Sequence, residues 1–145
     1  LLLLVGIALT RNDYVELGQE SDFAEVQLTD SLQLNGGVSH SDGPVSVEIV
    51  YQVREPERDA FLSAVYAVGK ARRRNGAQNW RLYRDMSADQ LYSERFIVES
   101  WLDYLRQQSR VTQADHAQEQ VLECFRREDL QTRRLIYQPP LKHTT

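Results

Sequence analysis

The side chains able to do chemistry in this 145-residue chain are few and scattered. Its three histidines, His40, His116 and His143, fall in a polar stretch, a polar helical pattern and the closing residues. No two of them share a ligand-like or base-like spacing. A single cysteine, Cys124, excludes a disulfide framework and a cysteine-based zinc site. Beside Phe125 on a helical pattern it reads as a small buried hydrophobe rather than a nucleophile. Glu94 and Glu99 are the carboxylate pair to weigh. Five residues apart on a strand, they point to opposite faces, which argues against shared acid–base work. Gly36, Gly37, Gly69 and Gly76 follow no phosphate-loop spacing. No catalytic, cofactor-binding or metal-ligating residue is expected.

Two features remain. Aromatic residues punctuate the second half of the chain, and Trp80, Tyr83, Phe96, Trp101 and Tyr104 are the residues expected to line a cavity or an interface. Arginines cluster at Arg72, Arg73 and Arg74, and again at Arg126, Arg127, Arg133 and Arg134. Turned toward an anionic leaflet, each such cation would contribute about 1 kcal/mol, so Arg72, Arg73 and Arg74 are the expected membrane-surface contacts. Solvated helix ends paired with nearby acids are the plainer reading. Nucleic acid is not an expected partner, because the net charge is −4 and no basic face is studded with aromatics.

The elements that must position these residues follow from hydrophobic patterning. Composition is ordinary for a globular chain, 41% hydrophobic and 26% charged. The chain opens LLLLVGIALTRND, on leucine, and its one methionine is Met86. This suggests a piece of a longer product. The apolar run of residues 1–9 would rise only about 13 Å as a helix, against a hydrocarbon core of about 30 Å. It could be the cut end of a spanning helix, a core element or part of a tag. Its abrupt stop at Arg11 favours the first, so residues 1–10 are expected to end a transmembrane helix. Residues 11–43 hold one arginine against seven acidic residues, a net of −6, and read as an acidic linker.

From Pro44 the pattern becomes that of a folded domain, expected over 44–138 with a tail at 139–145. Val45, Val47, Ile49, Tyr51 and Val53 alternate on one face of a strand. Glu55 and Pro56 open a helix with a stripe of Phe61, Leu62, Val65 and Val68, joined by Tyr66 or Gly69. It should end at Asn75-Gly76. Strands follow at 77–85 and 91–99, with Trp80, Leu82, Tyr92, Phe96 and Val98 inward. Ser100, with Asp103 three residues on, caps a helix burying Trp101, Leu102 and Leu105. A break near Val111-Thr112 leads to a segment expected to bury Ala117, Val121, Cys124 and Phe125, and residues 132–138 make a last strand. The order βαββαβ predicts an α+β, ferredoxin-like antiparallel sheet of four strands with helices on one face. The bare sheet face would be covered by a second copy, giving a dimeric α+β barrel; the alternative is a monomer with a half-wet sheet.

Three runs, PVSVEIVYQVREPERDAFLSAV, RRRNGAQNWRLYRD and FIVESWLDYLRQQSRVTQAD, together resemble the C-terminal soluble domain of major facilitator superfamily exporters of the transmembrane secretion effector branch, which includes enterobactin-exporter-like proteins. That domain is similar in turn to the antibiotic biosynthesis monooxygenase fold. LTDSLQL resembles the acidic linker after the family's last span. The resemblance implies a cell-membrane parent that exports small molecules, this domain on its cytoplasmic side, and a non-catalytic accessory or dimerisation role. A small-molecule ligand is a further partner to consider. The other reading is a cofactor-independent monooxygenase-like domain acting on a small aromatic substrate. Such relatives use asparagine, tryptophan and histidine around their cavity. Here Asn79, Trp80 and Trp101 are present, but the positions that often carry histidine hold Tyr104 and Gln108.

Overall fold

The computed structural model describes residues 37–130 and 132–142. The alternating apolar residues of the first strand, β1 (Val45–Gln52), fall into strict inward and outward order. A single 3-10 turn at Glu55–Glu57, with Pro56 where a missing N–H does no harm, leads into α1 (Arg58–Arg74). Then come β2 (Gln78–Arg84), β3 (Leu91–Val98), α2 (Trp101–Ser109), α3 (Gln113–Glu123) and β4 (Arg133–Ile136). The strands form one antiparallel sheet in the order β2-β3-β1-β4. This is the expected α+β, ferredoxin-like topology. The three-residue break at Arg110-Val111-Thr112 divides the second helical region, where the sequence pattern places it.

Both helix starts are closed by the residues the sequence offers. Ser100 Oγ accepts from the Asp103 amide at 3.1 Å, and Thr112 with Asp115 forms a reciprocal capping box. The first amides of α2 also find partners upstream. Trp101 N–H donates to the Asp42 carbonyl at 2.7 Å and Leu102 N–H to that of His40 at 3.0 Å. The folded unit accordingly begins at Val38, ahead of Pro44, because residues 38–43 complete the helix start. Gly43 permits this approach, since a Cβ there would stand 2.3 Å from the Glu99 carbonyl oxygen. The expected membrane stump at 1–10 and most of the linker at 11–43 lie outside the described residues. Among the described residues no helix is long and apolar enough to cross a membrane.

The core lies between the sheet's inner face and the helices. Phe61 is its hub, with Tyr51, Tyr92 and Phe125 rings 5.2–5.3 Å away. The short β4 pairs only with the first half of β1; beyond it, Gln52 N–H donates to the Phe125 carbonyl at 2.8 Å.

The face of α3 differs from expectation. Asp115, Leu122 and Phe125 are buried, whereas Ala117 and Cys124 are exposed and Val121 is 53% exposed. Hydrophobicity alone misplaces this face because ion pairs set it: Asp115 meets Arg74 at 2.5 Å and Glu119 meets Arg72 at 3.1 Å. Those contacts turn Val121 and Ala117 to solvent. Cys124 follows the last helical residue and its thiol lies 2.9 Å from the Val121 carbonyl.

Candidate ligand cavity and its buried ion pair

Alternation along β3 puts Tyr92, Glu94, Phe96 and Val98 on the inner face, so a carboxylate stands in a row of core positions. Glu94 is fully buried. An isolated charge there would be prohibitive, and the fold supplies four donors. The Tyr51 hydroxyl donates to Oε2 at 2.9 Å, and the Trp80 indole N–H donates to Oε1 at 2.8 Å. Arg72 closes a fork, with Nε donating to Oε1 and Nη2 to Oε2. The other guanidinium nitrogen, Nη1, donates to Glu119 Oε1 at 3.1 Å. Arg72 also lies over the Phe96 ring, 5.3 Å from its centroid.

Each partner is delivered by a local feature. Tyr51 is the last inward residue of β1. Arg72 sits in the final turn of α1, where Gln107 Nε2 donates to its carbonyl at 3.2 Å. Trp80 is aimed by a bulge: Gln78 pairs with Ile97 but Arg81 with Arg95, leaving one extra residue in β2. Asn79 takes the left-handed conformation there, φ 51°, which asparagine tolerates better than most residues. Gly69 makes room for the ring; a Cβ would lie 2.6 Å from Trp80 Cε2 and Cζ2.

The cluster perturbs its members. Burial pushes the Tyr51 hydroxyl far above its ordinary range, and the neighbouring Glu94 charge adds to this. Burial works against the Arg72 charge, but Glu94 more than offsets it and holds the guanidinium protonated. At the edge, hydrogen bonds from Arg74 and Thr112 lower the Asp115 carboxyl below its usual value.

Beside the ion pair is a cavity of about 180 Å³. Val47, Ile49, Phe96 and Leu122 give it an apolar floor; Tyr51, Arg72, Tyr104, Glu119, Glu123, Arg126 and Arg134 bring polar groups to it. Tyr104 stacks on Trp101 at 5.1 Å, and its hydroxyl accepts from Arg134 Nε at 2.8 Å.

The residues expected at a cavity or interface divide accordingly. Phe96 and Tyr104 line the cavity, while Trp101 and Trp80 are buried and not among its lining residues. Tyr83 faces the other way, 45% exposed on the outer sheet face beneath Arg95. Of the three arginines expected at a membrane surface, Arg72 is turned inward by Glu94 and Glu119. Arg73 lies over Trp80, and Arg74 reaches Asp115. They do not form one outward patch, because α1 carries them around its axis toward different partners. The carboxylate pair dissolves as expected: Glu94 is buried and Glu99 exposed. Glu94 was nonetheless legible as a charge at an inward β3 position. Arg72, Gln107 and Arg134 carried no comparable signal, since their roles depend on which residues lie opposite them.

The sheet order, the helices on one face and the cavity between them define a ferredoxin-like α+β domain of the kind found in antibiotic biosynthesis monooxygenases. SnoaB, a cofactor-independent oxygenase from Streptomyces nogalater, is similar in structure at 12% identity and TM-score 0.51, over 70% of this chain and 97% of that one. A candidate antibiotic biosynthesis monooxygenase from Caulobacter crescentus gives 13% identity and TM-score 0.56, over 69% and 94%. One from Nitrosomonas europaea gives 13% and 0.52, over 77% and 100%. At these identities the likeness is one of fold. No curated protein matches the chain. The chain belongs to the transmembrane secretion effector family, which it matches over residues 1–138.

Proposed function

We propose that this chain contains the cytoplasmic accessory domain of a major facilitator superfamily exporter of small molecules, acting by binding or association rather than catalysis. The observation that carries this reading is the family match, which runs continuously through the apolar opening and the αβ domain. The cavity supports the non-catalytic part. Its buried carboxylate, Glu94, has both oxygens engaged by Tyr51, Trp80 and Arg72, so it is poorly placed to take a proton from a substrate. Among the described residues no histidine lines the cavity.

Self-association belongs to the same proposal. The outer sheet face carries Ile97 and Leu135, aligned across Ser46, together with half-exposed Tyr83. Two copies meeting there would cover it. Sedimentation of the chain tests this part, and a monomer at all concentrations retires it.

The exporter reading is tested by sequencing upstream of the codon for Leu1 and then deleting residues 38–145 from the encoded protein. Further hydrophobic spans in frame, with small-molecule efflux altered by the deletion, are the expected results. A start codon immediately upstream of Leu1 would overturn the reading. The rival monooxygenase reading, favoured by the shared fold, predicts oxygen uptake with an anthrone-like substrate in the absence of cofactor. Our reading predicts none.

A further inference from the structure

We propose that the cavity beside the Glu94–Arg72 pair binds a small monocarboxylate, with an apolar body about one ring in size and its carboxylate held by Arg134. The inference stands on the cavity alone and is independent of the exporter reading.

Size sets the body of the ligand. An enclosed apolar cavity of about 150 Å³ accepts benzene; this cleft is open and carries polar groups along its walls, but at about 180 Å³ it has room for a body of that size. Its floor is apolar, with Val47, Phe96 and Leu122 no more than 2% exposed. Sheet register sets the cation against that floor. Arg134 stands opposite Val47, which stands opposite Phe96, all in one inward row.

Charge sets the head group. Arg72 is matched by Glu94 and Glu119, and Arg126 lies 3.5 Å from Glu123 while donating to Thr132. Among the described residues Arg134 has no carboxylate within 4.0 Å. Its Nε is occupied by the Tyr104 hydroxyl, which fixes the plane of the guanidinium. Its two terminal nitrogens have no hydrogen-bond partner among the described residues, and the residue is half-buried. A half-desolvated planar fork is complementary to a carboxylate. Glu119 and Glu123 also reach the cavity. They oppose a second negative charge, which selects a monoanion over a phosphate dianion.

The test titrates the full 145-residue chain with benzoate, and in parallel with benzamide, its neutral counterpart, and inorganic phosphate. Binding is read by nuclear magnetic resonance. Benzoate is expected to bind with a dissociation constant of about 1 mM or tighter, shifting resonances of Val47, Phe96 and Tyr104. Benzamide and phosphate should bind at least about tenfold more weakly, a difference of about 1.4 kcal/mol. Arg134→Gln should reduce benzoate to the benzamide level and Arg134→Lys should retain part of the difference. Arg133→Gln, on the outward row with Glu48, should leave it unchanged. Equal binding of benzoate and benzamide, preference for phosphate, no benzoate binding, or an Arg134→Gln variant that binds benzoate normally would each overturn the proposal. If Arg134→Gln fails to fold, the benzoate-to-benzamide ratio of the unsubstituted chain decides alone.

Discussion

Glu94 and Glu48 occupy neighbouring strands, and each meets arginine, yet they lie on opposite faces of one sheet. Glu48 faces outward, between Arg95 and Arg133, whose side chains are 55% and 61% exposed. Glu94 faces inward, wholly buried, against an Arg72 side chain that is 12% exposed. Outside, the Glu48 side chain is itself only 14% exposed, but water screens and can solvate its two arginine partners. Inside, every lone pair must be met by the protein, and loss of one partner strands the other. The same pair of functional groups therefore has solvated cations in one place and a cation held inside the fold in the other.

Arg72→Met should break that contrast most severely. It leaves the Glu94 carboxylate buried without its counter-charge and should lower stability by about 3–5 kcal/mol in urea denaturation. Tyr51→Phe removes one charge-assisted hydrogen bond and should cost about 1.5–3 kcal/mol. It should also change the alkaline limb. Folded Tyr51 stays protonated above its ordinary value of 10.0, whereas unfolded tyrosine ionises there. Its contribution is therefore complete below pH 10 and declines as pH rises beyond it, a decline the phenylalanine variant should lack.

Gly69→Ala sharpens the role of packing. The new methyl group drives Trp80 away from Glu94, an overpacking cost of about 1–3 kcal/mol, with a change in tryptophan emission as the second readout. On the outer face, Glu48→Gln should cost less than about 1 kcal/mol and become undetectable at high salt. The smallest effect concerns the start of α3. Asp115 is lowered below its ordinary 3.8, so its contribution is present above that pH and lost as pH falls through the folded value. Hydrogen exchange at the start of α3 should accelerate over that acid window while the sheet remains protected.

These contrasts also show which parts of the molecule the sequence declares. Alternation in VSVEIVYQV and the Ser100 and Thr112 caps are local signals, and they suffice for β1, both helix starts and the ferredoxin-like order. Phe96 was legible from the alternation of its strand, whereas Tyr104, buried where the helical pattern named Leu102, was marked only by the family resemblance. The ion pair was half legible. Glu94 stands out as a charge in a core row, but Arg72 sits among three arginines of which only the fold turns one inward. The α3 face was misread for a related reason. Its orientation depends on Asp115 and Glu119 meeting arginines of α1, and no periodicity of apolar residues encodes that. The bulge at Asn79 needed knowledge of the partner strand.

Glu94 and Arg72 act as one locked unit beside the cavity. A double-mutant cycle of Arg72→Met and Glu94→Leu, read by urea denaturation, tests it most directly. The predicted result is strong coupling, with the double variant more stable than the Arg72→Met single variant because no charge is left stranded. Additive losses, with the double variant destabilised by the sum of the two singles, would contradict it.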